Sequence, residues 1–208
     1  MLHILNIESS PRSGKSASIA VADAFLAAYR KRDPKVTIDT LNVWEEDLPE
    51  FDAEAIGAKY KGAANEGMEG AEAEIWQRIK ALAQRFHKAD RIVLGVPMWN
   101  FAYPYKLKQL IDLACQRNLL FSFDGRTFGP LLETRRALVI YTRGQAYDDN
   151  SPIPPAQFDH QTGYIDFWLR FIGVKDIQTL VVESTWSDKE AEGIRCASEE
   201  ARSLASIF

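Results

Sequence analysis

A loop bounded by prolines and rich in aromatic residues carries the side chains best suited to face a flat ring. It reads Pro97-Met98-Trp99-Asn100-Phe101 and ends at Pro104, and we call it the aromatic loop. The apolar residues 92–96 before it predict a buried strand of a parallel sheet, and Pro104 suits the first turn of a following helix. Ligands of open α/β sheets bind at the carboxyl ends of the strands, so Met98 to Phe101 are candidate pocket walls. A turn whose aromatic residues only cover the end of the sheet is the alternative.

A hydroxyl-rich segment after the first predicted strand, residues 2–7, is suited to bind a phosphate. This serine turn runs Ser9-Ser10-Pro11-Arg12-Ser13-Gly14-Lys15 and enters a helix at Ser16-Ala17-Ser18. The first turn of a helix presents unpaired amide hydrogens and a partial positive charge. The hydroxyls of Ser10, Ser16 and Ser18 can add donors to those amides. The alternative is that Ser16 is an ordinary helix cap and that its neighbours are solvated.

The serine turn also contains Gly14-Lys15-Ser16, which matches the end of a P-loop. Ser9 stands where the first glycine of that motif belongs, and the apolar residues 92–96 are not followed by a magnesium-binding aspartate. A nucleotide phosphotransferase is therefore the weaker hypothesis. It would bind ATP with magnesium.

A third candidate site, the arginine-glycine loop, is Thr142-Arg143-Gly144-Gln145 after the predicted strand 137–142. It joins a hydroxyl, a cation and a glycine that permits close backbone approach, although a surface turn has the same composition. If these loops share one sheet edge, a phosphate on the serine turn would place its attached ring against the aromatic loop. The arginine-glycine loop would then close over the far edge of the ring. A flat, singly phosphorylated ligand such as FMN fits this arrangement.

Strand-like and helix-like periods alternate along the whole chain. Such alternation favours a doubly wound parallel sheet, because each parallel crossover needs a connecting helix. We predict an α/β, flavodoxin-like fold with five parallel strands in the order 2-1-3-4-5 and helices on both faces. The predicted strands are residues 2–7, 36–43, 92–96, 137–142 and 177–183. Helices are predicted from Ser16 to before Pro34, at 54–61, along Ile75, Ile79, Leu82 and Phe86, after Pro104, and at 158–172 and 189–206, with a mobile span at 62–70.

Composition limits the class of protein. A chain of 208 residues that is 46% hydrophobic can bury a full core, and we expect one domain over residues 1–208. The net charge of −4 argues against nucleic-acid partners, and no stretch approaches the length of a membrane span. Cys115 and Cys196 lack a CxxC partner or histidines at metal-ligand spacing, so we expect reduced thiols and no metal. Since residues 2–7 are too short for a signal peptide, we expect a soluble cytoplasmic protein.

Together these motifs resemble the FMN-dependent NADH:quinone oxidoreductase and azoreductase family of the flavodoxin-like superfamily, nearly from end to end. The Pro-Met-Trp-Asn-Phe block is its most specific carrier, supported by Leu-Pro-Glu-Phe-Asp at 48–52, Tyr-Lys-Leu-Lys at 105–108 and Phe-Ile-Gly-Val at 171–174. The resemblance implies that the phosphate is held by Ser10, Ser16, Ala17 and Ser18, the isoalloxazine by Met98, Trp99, Asn100 and Phe101, and its pyrimidine edge by Thr142, Arg143, Gly144 and Gln145.

The resemblance further implies an enzyme that transfers two electrons by ping-pong hydride transfer from NADH or NADPH to quinones and aromatic azo compounds. It also implies a homodimer whose interface would explain the apolar residues at 121–128. No catalytic side chain is required, because the flavin carries the chemistry; Asn100 and the Gly144 amide are candidate donors to it. Gln145 departs from the family, which usually has a second glycine there. The aromatic residues that could line the slot are Trp99, Phe101, Phe121, Phe123, Phe128, Tyr147 and Trp168.

A flavodoxin-type single-electron carrier is the second hypothesis for this fold. It would pass single electrons to protein partners and would show little turnover with NADH. The aromatic slot and the modest net charge argue against it, because carriers usually present an acidic docking face.

Overall fold

The computed structural model describes residues 1–133, 135–147 and 152–208. In chain order its strands are β1 (His3–Glu8), β2 (Thr37–Asn42), β3 (Arg91–Pro97), β4 (Phe121–Phe123), β5 (Phe128–Pro130), β6 (Arg135–Thr142) and β7 (Val174–Val182). Its helices are α1 (Ala17–Arg32), α2 (Ala53–Ala64), α3 (Gly70–Lys88), α4 (Tyr105–Ala114), α5 (Pro155–Phe158), α6 (Thr162–Ile172) and α7 (Glu190–Leu204), with one turn of 3₁₀ helix at Ser13–Lys15.

Five strands form one parallel sheet in the order β2-β1-β3-β6-β7. Counted along the chain without the short strands β4 and β5, this is the predicted order 2-1-3-4-5, so the flavodoxin-like topology is confirmed. β4 and β5 pair with each other as an antiparallel hairpin that the sequence pattern did not predict. The carboxyl ends of β1, β3 and β6 lie side by side, which brings the three candidate loops to one edge of the sheet.

Helices cover both faces of the sheet. Because successive residues of a strand point to opposite sides, the central strands are buried on both faces. In β1, for example, Ile4 packs on the side of α1 and α7, while Leu5 and Ile7 pack on the side of α3, α4 and α6. Strand β3 is buried on both sides through Ile92, Val93 and Leu94. This explains why its sequence reads as a continuous apolar run.

Three local expectations differ from the structure. The predicted helix 158–172 is divided: α6 starts at Thr162, where the Asp159 carboxylate accepts from the amides of Gln161 and Thr162 (3.0 and 2.9 Å). Gly62 belongs to α2 rather than to the connection after it. The first buried residue of α3 is Trp76, whereas Ile75 is only partly buried. Within the part of the chain that the structure describes, no helix combines the length and apolarity needed to cross a membrane.

Candidate functional site

The serine turn leads from β1 into the amino terminus of α1. Ser10 is buried, and its hydroxyl accepts from the Arg12 amide (3.3 Å), which leaves the hydroxyl hydrogen available to a ligand. Ser16 caps the helix by accepting from the Ile19 amide (3.5 Å). The Ala17 amide has no partner within the described residues. This arrangement places a hydroxyl and a helix amino terminus beside a cavity at the carboxyl edge of the sheet, as an anion site requires.

Ser18 and Ser9 hold the turn in place behind that surface. The hydroxyls of Ser16 and Ser18 are hydrogen-bonded to each other (3.1 Å). The Ser18 side chain also lies close to Gly95 of β3, since a Cβ added to Gly95 would be 3.3 Å from it. The Ser9 hydroxyl donates to the Gly95 carbonyl (2.6 Å). Both serines therefore tie the serine turn to β3, and Ser18 lies behind the cavity rather than on its wall.

The aromatic loop is a tight hairpin between β3 and α4. The amide of each of Trp99 and Ala102 donates to the carbonyl of the other (2.8 and 3.0 Å), and the residues between them, Asn100 and Phe101, have φ values of 46° and 70°. Two central residues with positive φ characterise a type I′ turn. Pro104 stands just before the first residue of α4 as its N-cap, one position earlier than predicted. The turn fixes both side chains at its tip.

Neighbouring elements hold this hairpin on both sides. The Met98 amide donates to the Thr142 carbonyl (2.8 Å), which links the aromatic loop to the end of β6. The His160 amide donates to the Phe101 carbonyl (3.0 Å), and the rings of Phe101 and Phe158 are 5.2 Å apart. A bulky residue with positive φ is strained by about 1–3 kcal/mol and persists only where its surroundings fix it. These contacts supply that fixation.

The backbone of the arginine-glycine loop is bonded to the end of β7 and the loop after it. The Arg143 amide donates to the Val182 carbonyl (2.8 Å), and the Arg143 carbonyl accepts from the amide of Thr185 (3.1 Å). The Gly144 carbonyl accepts from the Trp186 amide (3.2 Å), whereas the Gly144 amide has no partner within the described residues. The Gly144 amide therefore remains a free hydrogen-bond donor at this edge of the sheet.

The Arg143 side chain points away from that cavity into a buried network. Its guanidinium donates to Asp159 Oδ2 (2.6 Å), Gln161 Oε1 (3.2 Å) and Glu183 Oε1 (3.4 Å), and it lies 5.2 Å from the centre of the Tyr147 ring. Burial acts to raise the pKa of Asp159, but hydrogen bonds from Thr162 and the charge of Arg143 outweigh it and lower the pKa below its ordinary value. The side chain of Arg143 is therefore engaged by these neighbours, and its contacts hold the loop in place.

Two adjoining cavities lie along the three loops. The serine-side cavity, of about 220 Å³, is lined by residues that include Ser10, Ser16, Ala17 and Thr142. The aromatic-side cavity, of about 340 Å³, is lined by residues that include Asn100, Phe101 and Gln145. The two share the lining residues Met98, Trp99, Gly144 and Trp186. Of the predicted binding residues, ten line this pair of cavities; only Ser18 and Arg143 do not.

The structure adds residues that the sequence pattern did not single out. Arg12, Pro97, Thr185, Trp186 and Glu190 line the serine-side cavity. Thr185 and Trp186 follow a fifth parallel strand, so the rule that ligands bind at carboxyl strand ends could have found them. Among the aromatic residues expected in the slot, Trp99, Phe101 and Tyr147 line it. Phe121, Phe123 and Phe128 belong to the β4–β5 hairpin, and Trp168 is buried against Phe86.

A larger cavity, of about 570 Å³, lies on the β2 side of the serine turn and is unsuited to an anion. Carboxylates line it: Glu8, Asp23, Glu45, Glu46 and Asp47. Burial and the charges of Asp23 and Glu45 raise the pKa of Glu8. An acidic wall of this kind repels phosphate. The serine-side cavity is therefore the better anion site, although it is smaller.

The pair of cavities can hold a long ligand with an anionic end and a flat end. At one end are the Ser10 hydroxyl and the Ala17 amide, and at the other are aromatic walls with the unpaired Gly144 amide and the Asn100 side chain. These groups match a singly phosphorylated ring system, and FMN fits them. The residues that the structure describes contain no cluster of three or more His, Cys, Asp or Glu side chains able to hold a metal ion.

Fold and site together define a flavodoxin-like protein. A family model described as "Flavodoxin-like fold" matches residues 2–205. A relative from Burkholderia lata, FMN-dependent NADH:quinone oxidoreductase 2, is 57% identical over 207 residues and covers 100% of both chains. The solved azoreductase of Bacillus anthracis str. Sterne has a TM-score of 0.89 at 25% identity, with 100% of both chains covered. An FMN-dependent NADH-azoreductase from Bacillus anthracis str. Ames Ancestor, solved in complex with FMN, has a TM-score of 0.87 at 25% identity and covers 99% and 98% of the chains.

The chain belongs to the family of FMN-dependent NADH:quinone oxidoreductases. It is an oxidoreductase enzyme.

Proposed function

We propose that this protein is an FMN-dependent NAD(P)H oxidoreductase that reduces quinones and aromatic azo compounds. One observation carries the proposal: two adjoining cavities share four lining residues and join a helix amino terminus to an aromatic slot. The names of the relatives agree with it, since they include quinone oxidoreductases and azoreductases. The shape and the polarity of the site suit FMN better than a ligand without a phosphate.

The proposed assignment of binding roles follows the lining of the cavities. Ser10, Ser16 and Ala17 would bind the phosphate, with Ser18 supporting Ser16 through its hydroxyl. Met98, Trp99, Asn100 and Phe101 would bind the ring, and Gly144 and Gln145 would face its pyrimidine edge. Thr142 would reach that edge from the serine-side cavity, which it lines. Arg143 would act on that edge through the loop it anchors, because its side chain is engaged by Asp159, Gln161 and Glu183.

The protein side chains would bind and orient rather than react. FMN held by these residues would supply the two-electron hydride chemistry of a ping-pong transfer from NADH or NADPH to a quinone or azo compound. The Gly144 amide and Asn100 would donate hydrogen bonds to charge on the ring. Trp99 and Phe101 would exclude water from the slot and offer flat surfaces to the donor and the acceptor in turn.

We also propose that the protein is a homodimer. Five phenylalanines of the β4–β5 hairpin and α6 form one cluster of rings with centroids 4.6–5.8 Å apart. Phe128 and Phe167 are 61% and 62% exposed. Contiguous apolar side chains that are exposed on a surface are typical of a protein interface. The members of the cluster are Phe121, Phe123, Phe128, Phe167 and Phe171.

We further propose that residues 1–208 act as one domain in the cytoplasm. Two cores, one on each face, share a single sheet, which supports one domain. Cys115 and Cys196 are unpaired, as thiols in reducing compartments usually are.

The experiment that tests the function starts from flavin-free protein. FMN is titrated in, and NADH, NADPH and then menadione or an azo dye are added without oxygen while flavin absorption is followed. We expect tight FMN binding, direct bleaching by a reduced nicotinamide and recovery of the colour with the acceptor, each faster than with free FMN. Protein that stays colourless after incubation with FMN would exclude the proposal. Flavin binding without bleaching by either nicotinamide would favour a single-electron carrier.

A further inference from the structure

Trp186 stands where the two cavities meet. It lies in the loop after β7, it lines both the serine-side and the aromatic-side cavity, and it is 80% exposed. Its backbone is fixed, because its amide donates to the Gly144 carbonyl (3.2 Å). A large indole surface therefore faces the cavities from a fixed position of the chain without being covered by the protein.

The close contact between Trp186 and position 144 depends on the absence of a side chain at Gly144. A Cβ on Gly144 would lie 2.3 Å from two ring atoms of Trp186, Cδ2 and Cε2. That distance is far inside van der Waals contact, so a side chain at position 144 would force the indole to move. The backbone at Gly144 does not have a positive φ. The absence of a Cβ at Gly144 thus permits the indole to lie directly against the loop that borders the slot.

A ligand that occupies both cavities must pass through the shared part of their lining. This junction is lined by Met98, Trp99, Gly144 and Trp186. A ligand with its phosphate at Ser10 and Ser16 and its ring at Phe101 would therefore touch Trp186. Such contact would bury indole surface that is exposed in the free protein, which favours binding.

We propose that Trp186 is a cofactor-retaining residue: its indole closes the solvent side of the junction over FMN and slows the release of the flavin. This inference rests on the proposed function, because FMN is taken as the ligand that spans the cavities. The β7 loop then contributes to the flavin site together with the loops after β1, β3 and β6.

The test compares Trp186→Ala and Trp186→Phe with the wild type and with the control Ile207→Ala. Ile207 is also a large exposed apolar residue, 75% exposed, but it lies near the carboxyl terminus and lines neither cavity. FMN is titrated into each flavin-free protein by fluorescence, and the rate of FMN release is measured after dilution. Circular dichroism establishes that each variant is folded.

We expect Trp186→Ala to raise the FMN dissociation constant and release rate by about tenfold. Trp186→Phe should raise both quantities by a smaller factor, and Ile207→Ala should bind and release FMN as the wild type does. Equal or tighter FMN binding by Trp186→Ala, with normal binding by the wild type, would overturn the proposal and leave the proposed function intact. A wild type that binds no FMN would instead remove the proposed function itself.

Discussion

Arg143 and Asp159 form a buried ion pair, with 2.6 Å between Nη2 and Oδ2 and with side chains only 6% and 11% exposed. Gln161, which accepts from the same guanidinium, donates to the Val96 carbonyl (2.8 Å). Through Gln161, the Arg143 side chain therefore joins the arginine-glycine loop to the end of β3, where the aromatic loop begins. Sequence reasoning placed Arg143 among the ligand-binding residues, but its side chain supports two of the binding loops from behind.

Loss of this arginine should destabilise the protein strongly. Arg143→Met leaves the buried Asp159 carboxylate without its partner, so we expect the free energy of unfolding to fall by about 3–5 kcal/mol. Arg170→Met is the matched control, because Arg170 pairs with Asp166 at a similar distance (2.9 Å) on the surface and should change stability little. Urea unfolding measures both variants. Equal losses in the two would show that burial adds nothing to the Arg143 pair.

The same pair should give the stability a dependence on acid pH. Because the pKa of Asp159 is lowered in the folded protein, its charge stabilises the fold above the ordinary carboxyl pKa of about 4, and this contribution is lost as the pH falls through the lowered pKa. Asp159→Asn removes the charge at every pH. The stability gap between wild type and Asp159→Asn should be largest near pH 7 and should shrink by pH 3. A gap that is constant in urea unfolding at pH 7, 5 and 3 would contradict this.

Asn100 can be tested without disturbing the turn that holds it. Its φ of 46° suits glycine, so Asn100→Gly removes the side-chain amide and keeps the backbone conformation. We expect the stability to stay near that of the wild type. Loss of one hydrogen bond should raise the FMN dissociation constant, or lower the rate of bleaching by NADH, by about fivefold. Asn100→Ala should show the same loss plus strain of about 1–2 kcal/mol in urea unfolding. If Asn100→Gly binds FMN and bleaches normally, Asn100 is not part of the site.

Gly62 should be sensitive to the addition of a single methyl group. A Cβ at this position would lie 2.2 Å from the ring of the buried Trp76, whereas a Cβ on Gly67 would meet nothing within 4 Å. Gly62→Ala should therefore lower the free energy of unfolding by about 1–3 kcal/mol. Gly67→Ala should change it by less than about 1 kcal/mol. Chemical denaturation measures both variants, and a Gly62→Ala protein as stable as Gly67→Ala would contradict this prediction.

The proposed dimer makes a prediction about the exposed phenylalanines. Phe128→Glu and Phe167→Glu each place a charge in the apolar patch, and burying that charge in an interface costs several kcal/mol. We expect a dimeric wild type and largely monomeric variants in sedimentation velocity, while Ile207→Glu, outside the patch, should remain dimeric. A wild type that is monomeric at all accessible concentrations would exclude the dimer.

Much of the architecture could be predicted because it depends on local patterns. The apolar run at 92–96, the cap at Ser16 and the alternation of strands and helices are properties of short segments, and each has its expected place in the structure. The β4–β5 hairpin was missed because each strand has only three residues. A period of two cannot be recognised over so short a run. The start of α6 was missed because it depends on the Asp159 carboxylate rather than on hydrophobic spacing.

The sequence by itself determined the alternation of strands and helices and the three candidate loops at strand ends, since hydrophobic period and turn residues are properties of short segments. The predicted sheet order was that of the flavodoxin-like folds that the chain resembles, because alternation alone does not choose an order. Only the tertiary structure decided which side chains face the cavities. Arg143 turns inward because buried acceptors surround it, and Trp186 borders both cavities because the β7 loop lies against Gly144. A side chain's direction depends on partners far away in the sequence, and residue types and spacing within one segment do not contain that information.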